Sequence, residues 1–148
     1  MIEVPSSSSR LIVVGDFEFF SPDELFDHWT DPELVVLWWP TVAQIETRVG
    51  GEYSFSWPEM QWTLKGSYTA LEPGKHLGFT WTWNHEPTSR PSLQVDVYFA
   101  PLAEGTRMSV LQGPYTDSEE DQEGRRANVE GWIHFGMRLA GLRAKSES

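Results

Sequence analysis

The stretch YSFSWPEMQWTLKGSYTALEPGKHLGFTWTW, residues 53–83, decides the fold. Tyr53, Phe55 and Trp57 recur at spacing two. So do Trp62, Leu64, Gly66, Tyr68 and Ala70, and then Leu77, Phe79, Trp81 and Trp83. That period puts each set on one face of a pleated strand, because successive side chains of a strand point to opposite sides. Pro58-Glu59 and Glu72-Pro73-Gly74 interrupt the runs as tight turns. Strands joined so closely pair antiparallel, with one face covered and the other wet.

The pattern continues in both directions. Upstream, Ile45, Thr47 and Val49 lead into a Gly50-Gly51 turn. Downstream, after a loop over Asn84–Pro91, Leu93, Val95, Val97 and Phe99 share a face opposite Gln94, Asp96 and Tyr98. Ala103-Glu104-Gly105 then turns into Met108, Val110 and Gln112. These segments predict six consecutive strands in an antiparallel meander. An earlier strand is predicted over Arg10–Phe20 from its β-branched and aromatic content.

Helix signals bracket the meander. Ser21-Pro22-Asp23-Glu24 offers an N-cap, a proline at the first helical position and a capping box, for a short helix to Trp29. Thr30-Asp31-Pro32-Glu33 starts a second helix, which runs through Trp38 and Trp39 and stops at Pro40. Thr116 with Glu119 supplies a capping box for a long last helix. On it Val129, Trp132, Gly136 and Leu139 share one face, flanked by Ile133, Phe135 and Ala140, while Glu130, His134 and Arg138 lie opposite. His134 is therefore a surface residue. Gly136 on the inner face signals either close packing on the sheet or room for a ligand. The whole reads as an α+β helix-grip arrangement, β-α-α-β6-α, with a curved antiparallel sheet wrapped around the long C-terminal helix. Residues 1–9 read as a flexible tail and 10–148 as a single domain without repeats.

Composition narrows the function. The chain has 148 residues, 39% of them hydrophobic and 22% charged, which excludes a disordered chain. Lys and Arg number 11 against 22 Asp and Glu, so the net charge of −11 argues against nucleic acid and anionic lipid as partners. No cysteine is present, which excludes disulfides, thiolate nucleophiles and Cys-based metal sites. The start MIEVPSSSSR has neither the basic nor the apolar region of a secretory signal. The longest apolar run, Leu34–Pro40, falls far short of the ~20 residues of a membrane span. A soluble, cytoplasmic protein is expected.

His28, His76 and His85 form no i, i+4 pair, and no nucleophile elbow, phosphate loop or dinucleotide fingerprint occurs, so neither metal nor cofactor is expected. Aromatics at 14% exceed what an ordinary core needs and suggest a lined cavity between the sheet and the last helix. Its expected lining is Tyr53, Phe55, Trp57, Trp62, Tyr68, Phe79, Trp81, Gln112, Asn128, Trp132 and Phe135. Gln112, Tyr68 and Asn128 would orient the hetero-atoms of a ligand. Trp39 either caps the cavity mouth or closes the second helix onto the sheet.

The runs TDPELVVLWW (Thr30–Trp39), VGGEYSF (Val49–Phe55), GSYTALEP (Gly66–Pro73), LGFTWTW (Leu77–Trp83), GTRM (Gly105–Met108) and EGW (Glu130–Trp132) resemble a known family. It comprises the bacterial proteins similar to the C-terminal domain of the activator of Hsp90 ATPase. They belong to the START-like (SRPBCC) superfamily, with polyketide cyclases and plant pathogenesis-related proteins. The resemblance spans about residues 10–143 and implies the same helix-grip fold with a cavity. Many relatives carry His at the positions of Gln112 and Asn128, so inherited proton-transfer chemistry is not implied here. Binding of a small hydrophobic or aromatic molecule is the leading expectation. The alternatives are a cofactor-free cyclase- or hydrolase-like enzyme, or an interaction module whose partner is a chaperone or a second copy of the chain. The interaction reading needs exposed aromatics, for which Tyr98 and the Trp38-Trp39 pair are the candidates, together with the aliphatic Leu111.

Overall fold

The computed structural model describes residues 1–86 and 91–143. The expected loop over Asn84–Pro91 and the end of the domain thus fall partly outside the described residues. In chain order the elements are β1 (Ile2–Glu3), β2 (Leu11–Phe17), α1 (Pro22–Thr30), α2 (Pro32–Val35), β3 (Val42–Ile45), β4 (Glu52–Trp57), β5 (Trp62–Glu72), β6 (His76–Trp83), β7 (Leu93–Pro101), β8 (Thr106–Gly113) and α3 (Glu119–Gly141). The strands form one antiparallel sheet in the order β1-β2-β8-β7-β6-β5-β4-β3. This is the helix-grip fold, with one strand more than the pattern showed.

The period-two reading sets the register. Tyr68 pairs with Phe79, Leu77 with Val97, and Val13 with Val110, and all six are buried. A bulge between Tyr68 and Ala70 shifts the alternation, so Leu71, paired with Leu77, packs against the core. Gly66 is a glycine for want of space: a Cβ there would stand 2.0 Å from the Thr80 carbonyl oxygen. β3 stops at Ile45, and both Thr47 and Val49 lie exposed beyond it.

The first residues are not a loose tail. Ile2 pairs with Val14 and Glu3 with Val13, and the Val4 N–H donates to the Ile12 carbonyl at 2.8 Å. Strand β2 would otherwise be a bare sheet edge, and its free backbone groups recruit this segment. Met1 fills the space opposite Gly136, where an added Cβ would lie 2.5 Å from its sulfur. Gly136 therefore marks close packing rather than room for a ligand.

At α1 the expected capping box is complete: the Glu24 N–H donates to Ser21 Oγ at 3.2 Å, and the Ser21 N–H to Glu24 Oε1 at 3.0 Å. The Ser21 backbone N–H, and then Arg143 at 2.5 Å, hold the Glu24 carboxyl down at about 2. Helix α2 is shorter than expected, a single turn capped by Asp31. Beyond it the chain turns inward, and the Trp38 indole donates to the His28 carbonyl at 2.8 Å. At α3 the cap is Ser118, not Thr116; the Thr116 amide and hydroxyl both donate to the Asp121 carboxylate at 2.8 Å.

Trp29, Trp38, Trp39, Trp81 and Trp132 form the heart of the core. Trp39 stands 5.7, 5.6, 5.9 and 5.2 Å, ring centre to ring centre, from the other four in that order. Trp38 and Trp39 are 1% and 4% exposed, so neither is a surface aromatic. A tryptophan buries roughly 150–250 Å², which makes this cluster a dominant source of stability.

Candidate ligand pocket

The space between the sheet and α3, expected as a cavity, is filled. Trp29 and Trp39 arrive from the α1–α2 segment and lie over Tyr53, Phe55, Tyr68 and Phe79, and the cleft that remains has no room for a water molecule. The Tyr53 hydroxyl donates to the Thr80 carbonyl at 2.5 Å. Burial pushes the Tyr53 and Tyr68 phenols well above their ordinary range, so both stay neutral. Gln112, 1% exposed, accepts from the Trp132 indole N–H at 2.8 Å. That donor fixes which way the amide faces and leaves Gln112 Nε2 without a partner among the described residues.

Other expected lining residues lie at the margins. Trp57 is half-buried, and its indole donates to the Trp39 carbonyl at 3.3 Å. Phe135 is half-buried beneath the Arg138 guanidinium, 5.9 Å from the ring centre. Trp62, expected inside, is 43% exposed: its alternation is right, but the sheet runs on past the cover that the helices supply.

Open space lies instead beside the first turns of α3, in a pocket of about 480 Å³. Trp81, Trp83 and Leu93 floor it from the sheet, His85 stands in its wall, Tyr115, Gly124, Ala127 and Asn128 close it from the other side, and the acidic side chains of Glu86, Glu120 and Asp121 also line it. Trp81 and Asn128 are the two expected residues that line it. The Asn128 amide donates to the Tyr115 hydroxyl at 2.9 Å. Burial raises the Tyr115 phenol to about 12, so near neutral pH it keeps its proton. The hydroxyl oxygen thus accepts from Asn128, and the neutral phenol remains a hydrogen-bond donor.

The room depends on small residues. A Cβ at Gly124 would meet nothing within 4 Å, and Ala127 follows one helical turn later. Gly124, Ala127 and Tyr115 did not stand out in the sequence reading. The legible signal was the run of two small residues at i and i+3 directly before Asn128, on a helix where glycine costs about 1 kcal/mol relative to Ala. Among the described residues no cluster of His, Asp and Glu is arranged to hold a metal, and no helix is long and apolar enough to cross a membrane.

Comparison with known proteins identifies the fold's relatives. Residues 20–143 match the family described as "Activator of Hsp90 ATPase homolog 1-like protein". Among solved structures, protein MLL2253 from Mesorhizobium loti is 23% identical, with a TM-score of 0.79 over 93% of this chain and 99% of that one. Protein CV1439 from Chromobacterium violaceum is 19% identical, with a TM-score of 0.74 over 95% and 100% of the two chains. CalU16 from Micromonospora echinospora is 18% identical, with a TM-score of 0.67 over 93% and 82%. No curated protein matches.

Proposed function

The chain belongs to the activator of Hsp90 ATPase homolog 1-like family, and we propose that it binds a small apolar or aromatic molecule in the pocket beside α3. The observation that carries this reading is the pocket's make-up: two indoles and a leucine beneath about 480 Å³, faced by one hydrogen-bonded Tyr115–Asn128 pair. An aromatic and aliphatic floor with polar groups set around it is what small-molecule sites share. Neither member of that pair exchanges a proton near neutral pH, so the two act as fixed hydrogen-bonding groups for a ligand.

The experiment is a calorimetric and tryptophan-fluorescence titration with aromatic, fatty and polycyclic compounds, run on the wild type and on Gly124→Leu. Gly124 is half-buried in the pocket wall and an added Cβ meets nothing within 4 Å, so the leucine enters the pocket's open space and the fold is retained. Binding to the wild type, weakened at least about tenfold in Gly124→Leu, is expected from occlusion of the pocket. Undiminished binding by Gly124→Leu would place the ligand elsewhere, and no binding by the wild type would end the proposal.

A further inference from the structure

Trp83 and His85 line the pocket and also belong to a second aromatic group outside it. Trp57 and Trp62 pair across β4 and β5, and Trp83 stands 5.4 and 6.0 Å from them, ring centre to ring centre. His85 lies 5.5 Å from Trp83, nearly parallel to it, and 5.8 Å from Trp62. Asn84 locks this shelf in place. Its Oδ1 accepts from the Thr63 N–H at 2.9 Å, its Nδ2 donates to the Gln61 carbonyl at 3.1 Å, and its own N–H donates to the Thr63 carbonyl at 2.9 Å. A rigid, solvent-facing row of rings thus continues the pocket floor outward through Trp83.

The planes of these rings differ. Trp81 and Trp83 meet at 89°, and Trp83 and Trp62 at 64°. A flat fused ring system can lie face-on against one of these indoles and must present its edge to the next. Rings joined by single bonds can turn at each joint and follow the floor. The net charge of −11, with Glu86, Glu120 and Asp121 in the pocket lining, also disfavours an anion.

Resting on the ligand-binding reading above, we infer that the ligand is a jointed aromatic molecule without an anionic group, whose outer ring leaves the pocket and stacks on Trp62 and His85. The pocket holds the inner ring against Trp81 and Trp83, with its polar substituent at Tyr115. Trp62 is then a specificity-determining residue for ligand length.

The test is calorimetric titration with a jointed series, phenol, 4-phenylphenol and 4-hydroxy-p-terphenyl, against a fused series, 2-naphthol and 2-anthrol. An aromatic contact of the usual strength gives the third jointed ring a gain of up to about tenfold in affinity. The extra fused ring should bring much less. Trp62→Ala should remove the gain of the third ring and leave phenol and 4-phenylphenol unchanged, while Trp62→Phe keeps it. Circular dichroism of both variants checks that the hairpin is intact. The inference falls if the gain survives Trp62→Ala, if Trp62→Ala weakens 4-phenylphenol equally, or if the fused series keeps pace. In those cases the pocket itself still stands as a binding site. If no probe binds the wild type, the ligand-binding reading falls first and this inference with it.

Discussion

Removing the Trp132 indole should cost a large part of the protein's stability, for two separable reasons. The side chain is 3% exposed and packs on Trp29, Trp39 and Trp81 at 5.6, 5.2 and 5.6 Å. Truncating such a ring costs about 3–5 kcal/mol through lost burial and the cavity left behind. Its N–H is also the donor to Gln112 Oε1, and orphaning that buried oxygen adds about 1–3 kcal/mol. The sum approaches the roughly 5–15 kcal/mol by which a domain is stable, so Trp132→Ala should be barely folded. Trp132→Phe keeps most of the ring and isolates the polar effect. Adding Gln112→Leu to Trp132→Phe removes both stranded amide atoms, so the double variant should be more stable than Trp132→Phe alone. His134→Ala, two residues on and exposed, should stay within about 0.5 kcal/mol. Urea denaturation followed by circular dichroism reads all four variants. The reasoning fails if Trp132→Phe matches the wild type, if the double variant is the weaker of the pair, or if Trp132→Ala behaves like His134→Ala.

Three further outcomes are expected. Gly124→Ala, whose new methyl meets nothing, should raise stability by about 0.5–1 kcal/mol in the same denaturation assay, and a loss would mean that the helix is strained there. Gly66→Ala should cost at least about 1–3 kcal/mol, because its methyl collides with the Thr80 backbone; a neutral result would show that β5 and β6 separate easily. The Glu24 carboxyl is held at about 2 in the folded chain against 4.5 when unfolded, so its contribution is present above about pH 4.5 and lost as pH falls towards 2. Melting temperatures against pH should show the gap between wild type and Glu24→Gln steady above that value and closing below it; a gap that widens in acid would contradict the assignment.

Local signals were legible in the chain. The alternation of Tyr53, Phe55, Leu77 and Phe79 reports a strand face, and Ser21 with Glu24 reports a helix start, because each is decided by neighbours within a few residues. The buried stripe Val129, Trp132, Gly136 and Leu139 follows from helical geometry in the same way. Thr116 lost the cap of α3 to Ser118 through a hydrogen bond to Asp121 that both candidates make feasible, and ends of elements are where such local competition is closest.

The amino-acid sequence by itself determined every strand but β1, the three helices, their order, the inner face of the sheet and hence the helix-grip fold. Tertiary structure alone decided what occupies that inner face. Trp29, Trp38 and Trp39 come from the segment between β2 and β3, outside the alternating strands, and their indoles fill the volume that the strand pattern left looking like a cavity. Likewise, Trp62 carries the same alternation as Leu64, yet one is 43% exposed and the other 0%, because only the reach of the covering helices separates them. Periodicity records which way a side chain points; whether anything meets it there depends on contacts between residues distant in sequence. The same physics moved the open space to Gly124, Ala127 and Tyr115, where small side chains on α3 leave the tryptophan floor uncovered.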